Sequence, residues 1–165
     1  MICIRIKRLY ISLLQFSLLF ICSMALSACG FLQPELEETP PAAKKVVSTA
    51  YSQIGKKYQP GGASPKKGFD CSGLIYWVYK ENGYKVPRMT IDQARIGCRV
   101  SQEDAREGDI LVFKTSQSPR GLHTGIYTGK HSFIHSPSTG KQVKEDTVDK
   151  PYWKQRLVSV RRVIQ

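Results

Sequence analysis

The apolar pattern of this chain changes period part-way along, and that change limits the fold more than any other feature. Val46, Val47, Ala50 and Ile54 make a short helical stripe ended by Gly55. The segment 56–68 is rich in Gly, Pro and Lys and reads as a loop. Leu74, Ile75, Trp77, Val78 and Tyr79 predict a largely buried helix over 71–81, with Asp70 at its N-cap and Gly83 closing it. A third helix is predicted to start at Thr90, with Gln93 completing a capping box. Beyond it come short β-branched or aromatic runs at 110–113, 124–128, 132–134 and 157–163, separated by turn residues. Helices first and strands later imply an α+β fold, the N-terminal helices packed on a small antiparallel sheet.

Ahead of this pattern lies a segment of a different kind. Arg5, Lys7 and Arg8 precede an almost wholly apolar run over 9–25, the pattern of a secretory signal. Leu26-Ser27-Ala28-Cys29 then resembles a bacterial lipobox, in which the cysteine is acylated and becomes the first residue of the mature protein. An uncleaved membrane anchor is the competing reading of the same run. The expected organisation is a lipoprotein signal peptide at 1–28, a Pro-containing linker at 29–43 and one folded domain at 44–165. Gly30 follows the cysteine instead of aspartate, so the expected location is exported and lipid-anchored, at the outer membrane facing the periplasm.

The net charge of +12 would ordinarily raise nucleic acid as a partner. Residues 1–28 carry three basic and no acidic side chains, which leaves 22 Lys and Arg against 13 Asp and Glu. An exported protein meets anionic cell wall and lipid instead, and positive charge concentrates it there. No nucleic-acid partner is expected, and the protein is expected to be a monomer. Of five cysteines, Cys3 and Cys22 fall in the leader and Cys29 is the lipidation candidate. That leaves Cys71 and Cys98, and a bridge between them would silence Cys71. Cys98 is therefore expected to be free and buried.

Cys71 stands at the head of its helix in Phe69-Asp70-Cys71-Ser72-Gly73, where unpaired amides and the positive helix end favour a thiolate. The same place sets a backbone N–H beside the sulfur for half of an oxyanion hole. The chain's three histidines follow at 123, 131 and 135. In a hairpin centred on Gly129, His123 and His135 oppose each other directly and project from one face. His123 then serves as the base and His135 orients it, while His131 lies in the turn as a solvated bystander. Zinc held by Cys71, His123 and His135 is the alternative use of the same three residues, although the spacing matches no compact zinc signature. No metal or other cofactor is expected.

These pieces resemble the NlpC/P60 family of cell-wall cysteine peptidases. The matching motifs are Lys57-Tyr58-Gln59-Pro60-Gly61-Gly62, Phe69-Asp70-Cys71-Ser72-Gly73-Leu74, Pro87-Arg88-Met89-Thr90, Gly108-Asp109-Ile110-Leu111-Val112-Phe113, His123-Thr124-Gly125-Ile126-Tyr127-Thr128-Gly129 and Phe133-Ile134-His135-Ser136. They run in the family's order over nearly all of 44–165. Gln59 and Thr124 depart from the residues the family often has there, and neither departure removes a catalytic group. The resemblance implies a papain-like α+β fold and a cysteine-type murein endopeptidase that hydrolyses amide bonds in peptidoglycan stem peptides or their cross-links. It implies Cys71 as nucleophile, His123 as base and His135 as orienting residue, with Tyr58 helping to bind oxyanion or substrate. A catalytically silent wall-binding lipoprotein, or an amidase or acyltransferase on the same scaffold, are the alternatives.

Stem peptides carry free carboxylates, which makes Arg88 and Ser72 candidates for substrate contact. The competing expectation for Arg88 is an ion pair with Asp92. For the leader, Cys29→Ser is expected to abolish fatty-acid labelling and release the protein from membranes. Label that persists in this variant would exclude Cys29 as the acceptor.

Overall fold

A computed structural model of the chain describes residues 39–116, 121–137 and 141–165. The expected signal peptide and Cys29 lie outside the described residues. Helix α1 spans Pro41–Tyr51 and buries Ala43, Val46, Val47 and Ala50, the stripe that the sequence shows. Pro41 at its first turn loses no hydrogen bond there, since that N–H has no partner within a helix. The boundary expected at 44 falls inside this helix, and Ala43 already belongs to the core. The compact unit runs over Thr39–Gln165. Ile54 does not join the stripe: the helix stops at Tyr51 and Ile54 is 44% exposed. Gly55 instead takes a left-handed φ of 85° and donates its N–H to Val143 O.

The loop predicted over 56–68 contains a two-stranded antiparallel pair, β1 (Ala63–Ser64) and β2 (Gly68–Phe69). It leads directly into α2, Cys71–Glu81, which has the predicted bounds and the predicted cap: Asp70 accepts from the Gly73 N–H at 2.6 Å. Next comes α3, Thr90–Gln93, a single turn. Its N-cap residue is Met89 and no side chain caps it, so the capping box does not form. Gln93 is fully buried and its amide is used elsewhere, as described below.

Strands β3 (Cys98–Val100), β4 (Ile110–Lys114), β5 (Leu122–Gly129), β6 (Ser132–His135), β7 (Lys144–Thr147) and β8 (Leu157–Arg162) form one antiparallel sheet, with the one-turn helix α4, Pro151–Lys154, between β7 and β8. The sheet order is β3-β8-β4-β5-β6-β7. The four predicted strands are present. The edge strands β3 and β7 escape the periodicity argument because they are short and mostly exposed. Cys98 sits on β3 and is exposed, contrary to expectation, because an edge strand buries little of its surface. It forms no disulfide.

Strand alternation divides the core in two. Ile110, Val112, Ile126 and Ile134 pack with α1 and α2, while Leu111, Phe113, Tyr127 and Phe133 pack with Val148, Trp153 and Val160 on the other face. The hairpin between β5 and β6 departs from the predicted register. Ile126 opposes Ile134 and Tyr127 opposes Phe133, with a bulge before Gly129 opposes Ser132. The two-residue turn is Lys130–His131, at φ of 47° and 61°. These are the left-handed angles that a tight primed hairpin turn requires. His135 is therefore diagonal to His123, two residues from direct opposition, though still on the same face. Among the described residues no helix is long and apolar enough to cross a membrane.

Helix α2 docks closely on the loop before it. A Cβ added at Gly73 would stand 1.9 Å from Gly62 O, which is backbone and cannot swing aside. Gly73→Ala is expected to destabilise the fold by about 1–3 kcal/mol, the usual cost of overpacking. Urea unfolding measures this, and an unchanged midpoint would show that α2 tolerates displacement.

Candidate active site

The start of α2 and the middle of the sheet meet at a cleft of about 780 Å³. Tyr58, Ser72, Arg88, Cys71, His123 and His135 all line it, so the structure brings together every described site residue that the sequence nominates. Cys71 is half-buried at the first position of α2. His123 and His135 come from adjacent strands, and His123 Nε2 lies 2.8 Å from His135 Nδ1. The two rings are perpendicular. His131 is in the turn, exposed, with Nδ1 2.9 Å from Asp149.

Two buried hydrogen-bonded bridges fix the helix start against the histidine strands. The Gln93 amide donates to Ser72 O at 2.9 Å and Pro87 O at 2.7 Å, and accepts from the Thr124 hydroxyl at 3.0 Å. Ser72 follows the candidate nucleophile and Thr124 follows the candidate base. The Ser136 hydroxyl, one residue beyond His135, donates to Phe69 O at 2.7 Å. Sequence reasoning misses both bridges, since nothing local marks a buried amide or hydroxyl as a spacer.

Asp70 holds the loop and the helix together. One of its oxygens takes the Gly73 N–H, and the other takes the Gly61 N–H at 3.0 Å. The Arg88 guanidinium closes on both, at 2.9 and 2.6 Å, and also donates to the Ser72 hydroxyl at 2.9 Å. Arg88 therefore pairs with Asp70, not with Asp92. The fork-to-carboxylate geometry is the bidentate one that lysine cannot reproduce. The Ser72 hydroxyl, expected as a substrate contact, is buried within this network.

Burial decides the protonation states. It pushes the Cys71 thiol up, and the Asp70 carboxylate adds to that shift. Backbone groups of Thr124, Ser72 and Cys71 pull the other way without winning. A thiolate favoured at rest by the helix end is thus not what the structure supports. Burial lowers His123 from 6.5 to about 4. Trp153 stacks on the His123 ring at 5.5 Å and stands edge-on to His135 at 5.1 Å, so both imidazoles sit in an aromatic box. Burial lowers His135 as well, and His123 and Lys144 push the same way. Burial thus favours a thiol and a neutral imidazole in the resting pair. Burial first, and then the Asp70 carboxylate and any negative charge on Cys71, push the Tyr58 hydroxyl up, which keeps it a hydrogen-bond donor.

A further side chain belongs to this group. His135 Nε2 is buried with no hydrogen-bond partner, and Asp146 Oδ2 lies 3.9 Å away on β7. Burial alone would push the Asp146 carboxyl up. Hydrogen bonds from Lys150, Lys144, the Thr147 N–H and Trp153 outweigh it and hold the group well below the carboxylate range. Asp146 escapes sequence reading because it sits in the polar run Lys144-Glu145-Asp146-Thr147, which shows no apolar alternation. Among the described residues no group of three His, Cys, Asp or Glu side chains is placed to hold a metal ion. A zinc site would aim both imidazoles at one ion, whereas here they face each other in a hydrogen bond.

Residues 55–162 match the NlpC/P60 family. The murein DD-endopeptidase MepH of Escherichia coli K12 is 35% identical over 126 residues, covering 74% of this chain and 46% of that protein. The murein DD-endopeptidase MepS/murein LD-carboxypeptidase of the same strain is 40% identical over 111 residues, covering 67% and 57%. The chain spans about half the length of the curated relatives it matches. A crystal structure of an NlpC/P60 family protein from Bacillus cereus superposes with a TM-score of 0.68 at 31% identity, covering 75% of this chain and 41% of that one.

The neutral histidines carry a stability consequence. In the unfolded chain imidazole binds a proton below about pH 6.5, while folded His123 stays neutral down to about 4. Between those values the unfolded state binds more protons, so stability falls as pH drops through the window. His123 alone is expected to account for on the order of 3 kcal/mol. Denaturant midpoints at pH 7.5 and 4.5 test this. His123→Gln is expected to flatten the decline, and an equal decline in that variant would exclude His123 as its source.

Proposed function

The chain belongs to the NlpC/P60 family, and from that membership we propose that it is a cysteine peptidase acting on amide bonds in peptidoglycan stem peptides. The observation that carries the reading is the 2.8 Å bond between His123 Nε2 and His135 Nδ1, in the cleft that also holds Cys71 at a helix start. Relatives named murein DD-endopeptidases support the substrate class. Lipid attachment at Cys29 and export to the outer membrane complete the proposal, on the leader pattern alone.

With Nε2 committed to His135, the free Nδ1 of His123 is the atom that takes the thiol proton. Neutral His123 then carries its own proton on Nε2 and donates it to His135 Nδ1. That leaves the His135 proton on Nε2, 3.9 Å from Asp146 Oδ2. As Cys71 attacks the scissile carbonyl, its proton passes to His123 and an imidazolium forms. The His123–His135 bond becomes charge-assisted, and the Asp146 carboxylate supplies the balancing charge. The new oxyanion meets the backbone N–H at the start of α2, and the Tyr58 hydroxyl is a second donor. His123 returns the proton to the leaving amine as the C–N bond breaks and a thioester remains. Water, deprotonated by His123, then hydrolyses the thioester and restores the thiol.

Cys71→Ala is expected to reduce turnover of purified murein on the order of 10⁴-fold with folding intact, the scale seen when one member of a catalytic unit is removed. His123→Ala should follow closely. His135→Ala should retain more activity, and His131→Ala nearly all of it. Mass spectrometry of the released muropeptides identifies the bond cut. Undiminished release by Cys71→Ala would exclude the thiol mechanism, and products other than cleaved stem peptides would favour an amidase or transferase.

A further inference from the structure

The two walls of the cleft differ in charge. On one side the Arg88 fork is closed on Asp70 and also reaches Gly62 O at 3.3 Å, so its charge is neutralised in place. On the other, Lys144 and Lys150 line the cleft beside Asp146, and Lys141 lines it next to Tyr58, whose N–H its backbone O accepts at 2.8 Å. Three ammonium groups stand there against one carboxylate.

The arrangement of these four groups is layered. The Asp146 side chain is only 4% exposed, while Lys144 and Lys150 are 49% and 58% exposed. Lys144 Nζ meets one Asp146 oxygen at 3.1 Å and Lys150 Nζ meets the other at 2.6 Å. The carboxylate therefore lies underneath, and the ammonium groups it pins face the cleft. A lysine carries three N–H donors, so each retains donors beyond the one given to Asp146. Pinning also removes much of the rotamer entropy that a free lysine would lose on meeting a ligand. Tyr152 and Trp153 adjoin them as apolar lining.

We propose that Lys141, Lys144 and Lys150 form a carboxylate-binding wall that reads the free acid groups of the peptide substrate. The wall takes the role that the sequence assigns to Arg88. Asp146 serves both sides at once, balancing His135 from within and holding two of the lysines in place. Because lysine presents a compact charge in place of a planar fork, the wall accepts a carboxylate in several orientations. The choice of a stem peptide as substrate rests on the peptidase reading above.

Binding to the Cys71→Ser protein tests the wall without turnover. The probe is the tetrapeptide L-alanyl-γ-D-glutamyl-diaminopimelyl-D-alanine, compared by calorimetry with the same peptide carrying carboxamides in place of its free carboxylates. The acid form is expected to bind at least ten-fold tighter. Lys141→Gln, which leaves the Asp146 pairs untouched, and Lys150→Gln should each weaken the acid form several-fold and the amide form little, with Lys141→Arg restoring it. Lys45→Gln, on α1 and outside the cleft, should change neither. Equal binding of both peptides, no binding of the acid form, equal loss for both in the lysine variants, or a matching loss in Lys45→Gln would overturn the wall. Hydrolysis is scored separately with the wild-type protein on purified cross-linked murein: failure to release any cleaved muropeptide would overturn the peptidase reading, while the binding comparison still decides the wall.

Discussion

A single buried amide ties together the two elements on which the proposed chemistry depends. Proton transfer between Cys71 and His123 needs two side chains, some fifty residues apart in sequence, to meet within hydrogen-bonding reach. Gln93 spans the neighbours of both, taking Thr124 from the strand and giving to Ser72 and Pro87 on the helix side. Its atoms are fully buried, so a lost partner would leave a polar group unpaired in a dry site, at a cost of about 1–3 kcal/mol. That penalty resists small displacements more effectively than apolar contact, which is non-directional. The Ser136 hydroxyl on Phe69 O does the same for the far side of the pair.

The dryness that makes these bridges effective also governs the electrostatics. Phe113 and Trp153 adjoin the His123 ring and Phe133 and Trp153 the His135 ring, and this burial favours their neutral forms. In the proposed mechanism a neutral His123 is the base that accepts a proton, and charge appears only when it does. The site prepares for that charge with a carboxylate already stabilised by two lysines, below the surface of the cleft. The Asp146 charge thus lies beyond the histidine pair, while burial and the Asp70 carboxylate push the Cys71 thiol up.

Local signals in the sequence recover local structure well. The helix 71–81 and its Asp70 cap are legible because an apolar stripe, an N-cap carboxylate and a closing glycine agree. The α+β order and four of the strands are legible for the same reason. Register is less so: the bulge between Tyr127 and Gly129, and the turn moved to Lys130–His131, depend on packing around the hairpin. A shift of two keeps the side-chain face, which is why the histidine pair survives the error. Gln93, Asp146 and Trp153 are not legible at all, because each acts only through partners distant in sequence. The Arg88 partner is missed for the same reason: Asp92 is near in sequence, whereas Asp70 is near in space.

The raised Cys71 thiol has a consequence outside catalysis. Peroxides and other oxidants attack the sulfur anion, and the path from sulfenic to sulfonic acid begins there. Under the proposed mechanism the anion forms only as a proton crosses to His123, which would limit the time in which the sulfur is open to damage. The burial that holds the sulfur as a thiol would thereby also shield it from oxidation.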